Sequence, residues 1–123
     1  MTANIALVAH DGLKDSMVEW ATDNAASLQG LRIFATGTTG KRLQDGAGLT
    51  IERLLSGPLG GDAQLGAMIA EGKLDALFFF IDPMTAVPHD VDVKSLLRLA
   101  ILYDTPLAVN PASAAAVLAA LKH

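Results

Sequence analysis

Short apolar runs alternate along the chain with segments in which apolar residues recur every three or four positions. The runs cover residues 5–9, 31–35, 50–55, 74–81 and 106–109, and each has the length of a strand rather than of a helix. Between the first two, Leu13, Met17, Trp20, Ala21 and Leu28 fall at helical spacing while Asp15, Glu19 and Asp23 lie elsewhere on the wheel, which predicts an amphipathic helix. Another is expected over 62–71, entered after Gly60 and Gly61 and ended by Gly72, a residue suited to the left-handed cap. A third covers 93–103 on Leu96, Leu97, Ala100 and Ile101, and an Ala-rich one covers 112–121 behind Pro111, a favoured first-turn residue. In 40–49 the glycines at 46 and 48 lower helix propensity, so a short helix or a turn and a half is expected there.

Strands alternating with helices predict an α/β fold of three layers, a five-stranded parallel sheet with helices on both faces. The stretch 77–81 is apolar on both faces and reads as a central strand, whereas Glu52 and Arg53 mark the third run as an edge.

At 123 residues, 51% hydrophobic and 5% aromatic, the chain is expected to form one domain, 1–123, around an aliphatic core. Its formal charge of −4 argues against a nucleic-acid partner, which needs a basic patch. No apolar run approaches the ~20 residues that span a bilayer, and the first residues carry no positive charge of the kind that opens a signal peptide. A cytoplasmic address, with no membrane partner, is the resulting expectation. The absence of cysteine removes disulfides, thiol nucleophiles and Cys-based metal sites together.

Ligands of open parallel sheets bind beyond the carboxyl ends of the strands. The loops there contain His10-Asp11-Gly12, Thr36-Gly37-Thr38-Thr39-Gly40, Ser56-Gly57 with Gly60-Gly61-Asp62, Asp82-Pro83 through His89-Asp90-Val91-Asp92, and Asn110-Pro111. The Thr-Gly-Thr-Thr-Gly string enters a helix, so its amides and hydroxyls suit an oxyanion, phosphate above all, and Ser56, Gly57 and Lys14 can add to it. Capping offers another reading: Thr38 and Thr39 as helix caps, and Asp11, Asp62, Asp82 and Asp92 at positions before helices or a proline. Capping does not account for two loop histidines, His10 and His89, each followed by Asp. No Walker loop, Gly-x-Gly-x-x-Gly fingerprint, His-Glu-x-x-His motif or Gly-x-Ser-x-Gly elbow is present, so nucleotide, zinc and serine-hydrolase chemistry lack support. His123 is terminal and reads as solvated.

Taken together, His10-Asp11 with Lys14, Thr36 to Gly40, Ser56 to Asp62 and Asp82 to Asp92 resemble the methylglyoxal synthase family in order and spacing from residue 5 to about 110. The resemblance implies that family's fold, with flavodoxin-like layering, and a lyase that converts dihydroxyacetone phosphate to methylglyoxal and inorganic phosphate without metal or organic cofactor, on a methylglyoxal bypass of glycolysis. By position it implies Asp62 as catalytic base, His89 as the electrophile for the enediolate oxygen and Asp92 as a supporting catalytic carboxylate. His10, Lys14, Thr36, Gly37, Thr38, Thr39, Ser56 and Gly57 match substrate- and phosphate-binding positions, with Asp11 and Asp82 as supporting members. It also implies an allosteric homohexamer inhibited by phosphate. This chain has Ala63 where the family often has Gln, and ends at His123 where longer members continue into a tail carrying an Arg. The rival reading is a phosphate-sensing module like the regulatory domain of carbamoyl phosphate synthetase, and a third is a phosphatase or isomerase on the same fold; the base at Asp62 opposite His89 favours the lyase.

Overall fold

Strands β1 (Asn4–Ala9), β2 (Arg32–Ala35), β3 (Glu52–Arg53), β4 (Ala76–Phe80) and β5 (Leu107–Ala108) form one parallel sheet in the order β3-β2-β1-β4-β5. The computed structural model describes residues 2–84 and 90–121, with the backbone alone for 90–92. In register, Leu7 of β1 stands between Ala35 of β2 and Phe78 of β4. The helices are α1 (Lys14–Asp23), the single turn α2 (Ala25–Leu28), α3 (Gly37–Ala47), α4 (Gly61–Ala70), α5 (Asp90–Leu102) and α6 (Pro111–Ala120).

Alternation along the two inner strands divides the core. Ile5, Leu7 and Ala9 with Ala76, Phe78 and Phe80 face Met17 and Trp20 of α1, Leu43 of α3 and Leu118 of α6. Ala6, Val8, Leu77 and Phe79 face Leu65 and Ile69 of α4 and Leu96 of α5. All five residues of β4 are buried, as a strand covered on both faces requires. Full burial of each large apolar side chain stabilises by roughly 1.5–3 kcal/mol. Trp20 gives the first layer its anchor, with ring centroids 5.4 Å from Phe78 and 5.9 Å from Phe80. The edge strand β3 is only two residues long, and Glu52 ties it to β2 through both guanidinium bonds of Arg32.

Two elements differ from the sequence expectation. The helix read across Leu13 to Leu28 is interrupted at Asn24, whose backbone leaves the helical region (φ −113°, ψ 19°) while its side-chain amide donates to the Trp20 carbonyl at 2.8 Å. The Asn24 main-chain N–H donates to the same carbonyl at 3.1 Å, so α1 closes on Asn24 and α2 restarts as one turn. In the other direction, α3 extends over 11 residues and begins at Gly37, where a short helix or a turn and a half was expected over 40–49. Its glycines are contact points rather than defects. A Cβ at Gly46 would stand 2.7 Å from Cγ1 of Val18 on α1, and one at Gly40 would stand 2.8 Å from Cγ of Arg53. Close approach buries Leu43 and offsets the propensity cost, and Gly48, at φ 66°, ends the helix in the left-handed region.

The chain enters at β1, builds outward to β3 on one side, then returns to β4 and builds outward to β5 on the other. The reversal falls between β1 and β4, so the loops after these strands part and leave a crevice at their carboxyl ends. His10 follows β1 and Asp82 lies just past β4.

Candidate functional site

His10 leaves β1 with its N–H donated to the Phe80 carbonyl at 3.1 Å and its ring edge-on to Phe79, centroids 5.2 Å apart. The main-chain N–H of Asp82 donates to its Nδ1 at 2.8 Å. An Nδ1 that accepts carries no proton, so in the neutral ring the proton is on Nε2. That Nε2 is buried and has no hydrogen-bond partner among the described residues. Burial lowers the imidazole pKa below the ordinary 6.5, with the nearby Asp82 charge pulling the other way and Lys14 adding to the fall. His10 is thus a neutral ring presenting one N–H donor. Asp82 is itself fixed by a turn in which its carboxylate accepts the Met84 N–H at 3.0 Å.

Lys14 opens α1 and is only 8% exposed. Its ammonium donates to the Ala9 carbonyl at 3.1 Å and to Asp11 Oδ1 at 2.5 Å. Three donors and two partners leave a third N–H for a ligand. The Lys14 bond holds the Asp11 carboxyl below its usual range.

The threonine loop does not cap in the way its sequence allows. Thr36 is the residue before α3, extended at φ −65°, ψ 155°, and no side-chain cap bond forms. Thr38 and Thr39 lie inside the first turn of the helix, where backbone amides lack intrahelical acceptors and the helix dipole is positive. The Gly37 amide is already committed to the Leu55 carbonyl at 3.2 Å. Thr39 is 2% exposed and its hydroxyl has no partner among the described residues.

Ser56 likewise precedes a 3-10 turn, Gly57–Leu59, in an extended conformation without a side-chain cap bond. Asp62 is the second residue of α4, and its carboxylate oxygens lie 3.5 Å from where a Cβ on Gly57 would be. The base candidate therefore faces the serine loop at van der Waals distance.

These side chains meet in one cavity of about 390 Å³, whose wall includes His10, Lys14, Thr36, Thr38, Ser56 and Asp62. Val8, Phe79 and Val93 supply its apolar floor, and the sequence reading did not find them because nothing separates them from ordinary core positions. Few polar heads on an apolar wall, in a volume of this order, is the form of a small-molecule site. A hollow of about 480 Å³ at the opposite end of the sheet carries Glu71, Asp75 and Asp104 on its wall and suits no anion. His89 lies outside the described residues. Asp92 is in the first turn of α5, the helix that brings Val93 to the cavity, and its side chain also lies outside the description. Among the described residues no group of three or more His, Asp or Glu stands close enough to hold a metal, and no helix is long and apolar enough to cross a membrane.

The MGS-like domain family matches residues 16–109 of this chain. The chain is similar to the methylglyoxal synthase of Agrobacterium fabrum, 59% identical over 111 residues that cover 89% of this chain and 87% of that one. It is also similar to the methylglyoxal synthase of Rhizobium rhizogenes, 57% identical over 120 residues covering 97% of this chain and 95% of the relative. Among solved structures, the methylglyoxal synthase of Elizabethkingia anophelis superposes with a TM-score of 0.90 at 48% identity, over 95% of this chain and 77% of that one.

Proposed function

The chain belongs to the methylglyoxal synthase family, and we propose from that premise that it acts as a phosphate-eliminating lyase on dihydroxyacetone phosphate, with Asp62 as base. The observation that carries this reading is the orphan Nε2–H of His10 in one cavity with Lys14 and Asp62. A base, a neutral donor and a buried cation are what proton abstraction beside a carbonyl on a phosphorylated substrate demands.

In the proposed reaction the phosphate lies against Lys14, the hydroxyls of Thr36, Thr38 and Ser56, and the first-turn amides of α3. Asp62 removes a proton from the hydroxymethyl carbon, and the electron pair left behind forms the double bond of an enediolate with the carbonyl carbon. Donors must meet the negative oxygen that results. His10 through Nε2 is one, and His89 is the other, with Asp92 supporting it. The hydroxymethyl oxygen then gives up its proton, its electrons close an aldehyde, the enediolate double bond shifts to the phosphate-bearing carbon, and the carbon–oxygen bond to phosphate breaks with its electron pair on the leaving oxygen. Inorganic phosphate leaves, and the remaining enolate takes up a proton on its terminal carbon to become methylglyoxal. Elimination needs the breaking bond to stand out of the enediolate plane, whereas an in-plane bond favours reprotonation to the isomer. A phosphate held from several sides fixes that torsion and selects the product.

The rest of the family assignment belongs to the same proposal: one domain over 1–123, a cytoplasmic homohexamer on the glycolytic bypass, and inhibition by phosphate, which competes for the cradle. Exposed Ile101, Leu102 and Tyr103 offer apolar surface for assembly. The test is direct. Purified protein given dihydroxyacetone phosphate should release methylglyoxal and phosphate in equal amounts. Glyceraldehyde 3-phosphate as product would mean an isomerase instead, and phosphate binding without any turnover would mean a sensor.

A further inference from the structure

The serine loop is locked to the helix that bears Asp62 by contacts that lie outside the cavity. The Gly61 amide donates to the Ser56 carbonyl at 3.0 Å, and a Cβ placed on Gly61 would stand 2.1 Å from the Leu55 carbonyl oxygen and 3.1 Å from the Ser56 carbonyl carbon. The residue before Ser56 is held as well. The Leu55 N–H donates to Oε1 of Gln64, one turn into α4, at 2.8 Å, and the Leu55 carbonyl accepts the Gly37 N–H of α3. Gly61 and Gln64 flank Asp62 in sequence and grip the Leu55–Ser56 main chain, from which, through Gly37, the threonine loop is also hung.

We propose that Gly61 and Gln64 are positioning residues that set the distance between the base and the anion cradle. The inference rests on the reading of Asp62 as the base. Gly61 is not needed for its conformational freedom, since its backbone is helical. What it supplies is absence of a side chain, which lets the first turn of α4 touch main chain. Gln64 uses only its acceptor, because its partner is an N–H. A phosphate fixed in the cradle and a base fixed on α4 thus share one reference, the main chain of Leu55 and Ser56. Displacement of α4 by a methyl group would move Asp62 relative to a phosphate that stays where it was.

Three variants test this. Gly61→Ala should lower kcat by up to about 100-fold, the scale of a 1 Å misplacement, with KM and the affinity for inorganic phosphate nearly unchanged. Gln64→Ala should lower kcat by roughly two- to tenfold, as expected for one exposed neutral bond, and should speed hydrogen exchange at the Leu55 amide while amides of β4 stay protected. Gln64→Glu, which keeps an acceptor, should recover most of both. A Gly61→Ala protein with wild-type kcat, or unchanged Leu55 exchange in Gln64→Ala, would overturn the inference. If Gly61→Ala does not fold, the two Gln64 variants decide alone. If the wild-type chain makes no methylglyoxal, the proposed reaction fails, and Leu55 exchange still decides whether Gln64 holds the loop.

Discussion

The main-chain N–H of Asp82 and the Nδ1 of His10 are 2.8 Å apart, joining the ends of β4 and β1 across the point where the sheet reverses. Because that bond needs a bare Nδ1, it selects one tautomer and aims the remaining proton into the cavity. A protonated ring would set two donors against each other. The same bond therefore opposes protonation, in the direction that burial already drives the imidazole.

A pH dependence follows. The folded pKa of His10 lies below the ordinary 6.5 of the unfolded chain, so between the two values the unfolded state binds more proton. The contribution to stability is complete above pH 6.5 and is lost as the pH falls through the folded value. The proposed reaction uses the neutral ring, so kcat/KM, which reports the free enzyme, should hold at pH 6.5 and decline only below it. Nitrogen NMR on the imidazole should show the proton on Nε2 at neutral pH. A His10 ring protonated at Nδ1, or titrating above 6.5, is the contrary result.

Asp62→Asn keeps the size of the side chain and removes its basicity. Turnover of dihydroxyacetone phosphate should fall by roughly 100- to 10,000-fold, the range for loss of one proton-transfer group. Phosphate binding and the circular dichroism spectrum should persist, because Asp62 enters the cavity beside the cradle rather than within it. Retained turnover would remove Asp62 from the role of base.

Lys14→Met preserves the buried stem and deletes the charge. Hydrogen bonds to charged groups contribute about 1.5–3 kcal/mol, so affinity for inorganic phosphate by titration calorimetry should fall by roughly 10- to 150-fold. The Asp11 carboxyl, held low by the Lys14 bond, should return upward to its ordinary 3.8, visible by carbon NMR. In wild type this pair adds stability above that value and loses it as the pH falls through the folded pKa. Unchanged phosphate affinity would place the anion elsewhere.

Much of this site was legible before any coordinates, for physical reasons that differ by residue. The inner runs report burial on two faces, which only apolar residues satisfy, and Glu52 and Arg53 mark the third run as an edge, so the loops after β1, β2 and β3 could be located and their Thr, Ser, Lys and His singled out. The His10–Asp82 bond was not legible, because a main-chain amide donates regardless of side chain. The pairing of Gln64 with Leu55 was hidden for the same reason. The break at Asn24, whose side chain and main-chain N–H both bond the Trp20 carbonyl, leaves no mark in the apolar spacing. The greater length of α3 was hidden because Gly46 and Gly48 read as propensity costs, whereas the contact of Gly46 with Val18 is made across two helices.

That contact carries the last prediction. Gly46→Ala gains up to about 1 kcal/mol of helix propensity, and in an exposed helix it would stabilise. Here the added methyl meets Cγ1 of Val18 at 2.7 Å, and forcing a methyl into a packed contact costs about 1–3 kcal/mol. The clash is with the side chain of a β-branched residue whose rotamer is stiff, so little of it relaxes. Urea unfolding should therefore show Gly46→Ala as net destabilised. The Val18→Ala, Gly46→Ala double variant should regain stability relative to the sum of the single changes, because the smaller partner removes the clash and leaves the propensity gain. Strict additivity of the two changes would show that α1 and α3 do not meet at this pair.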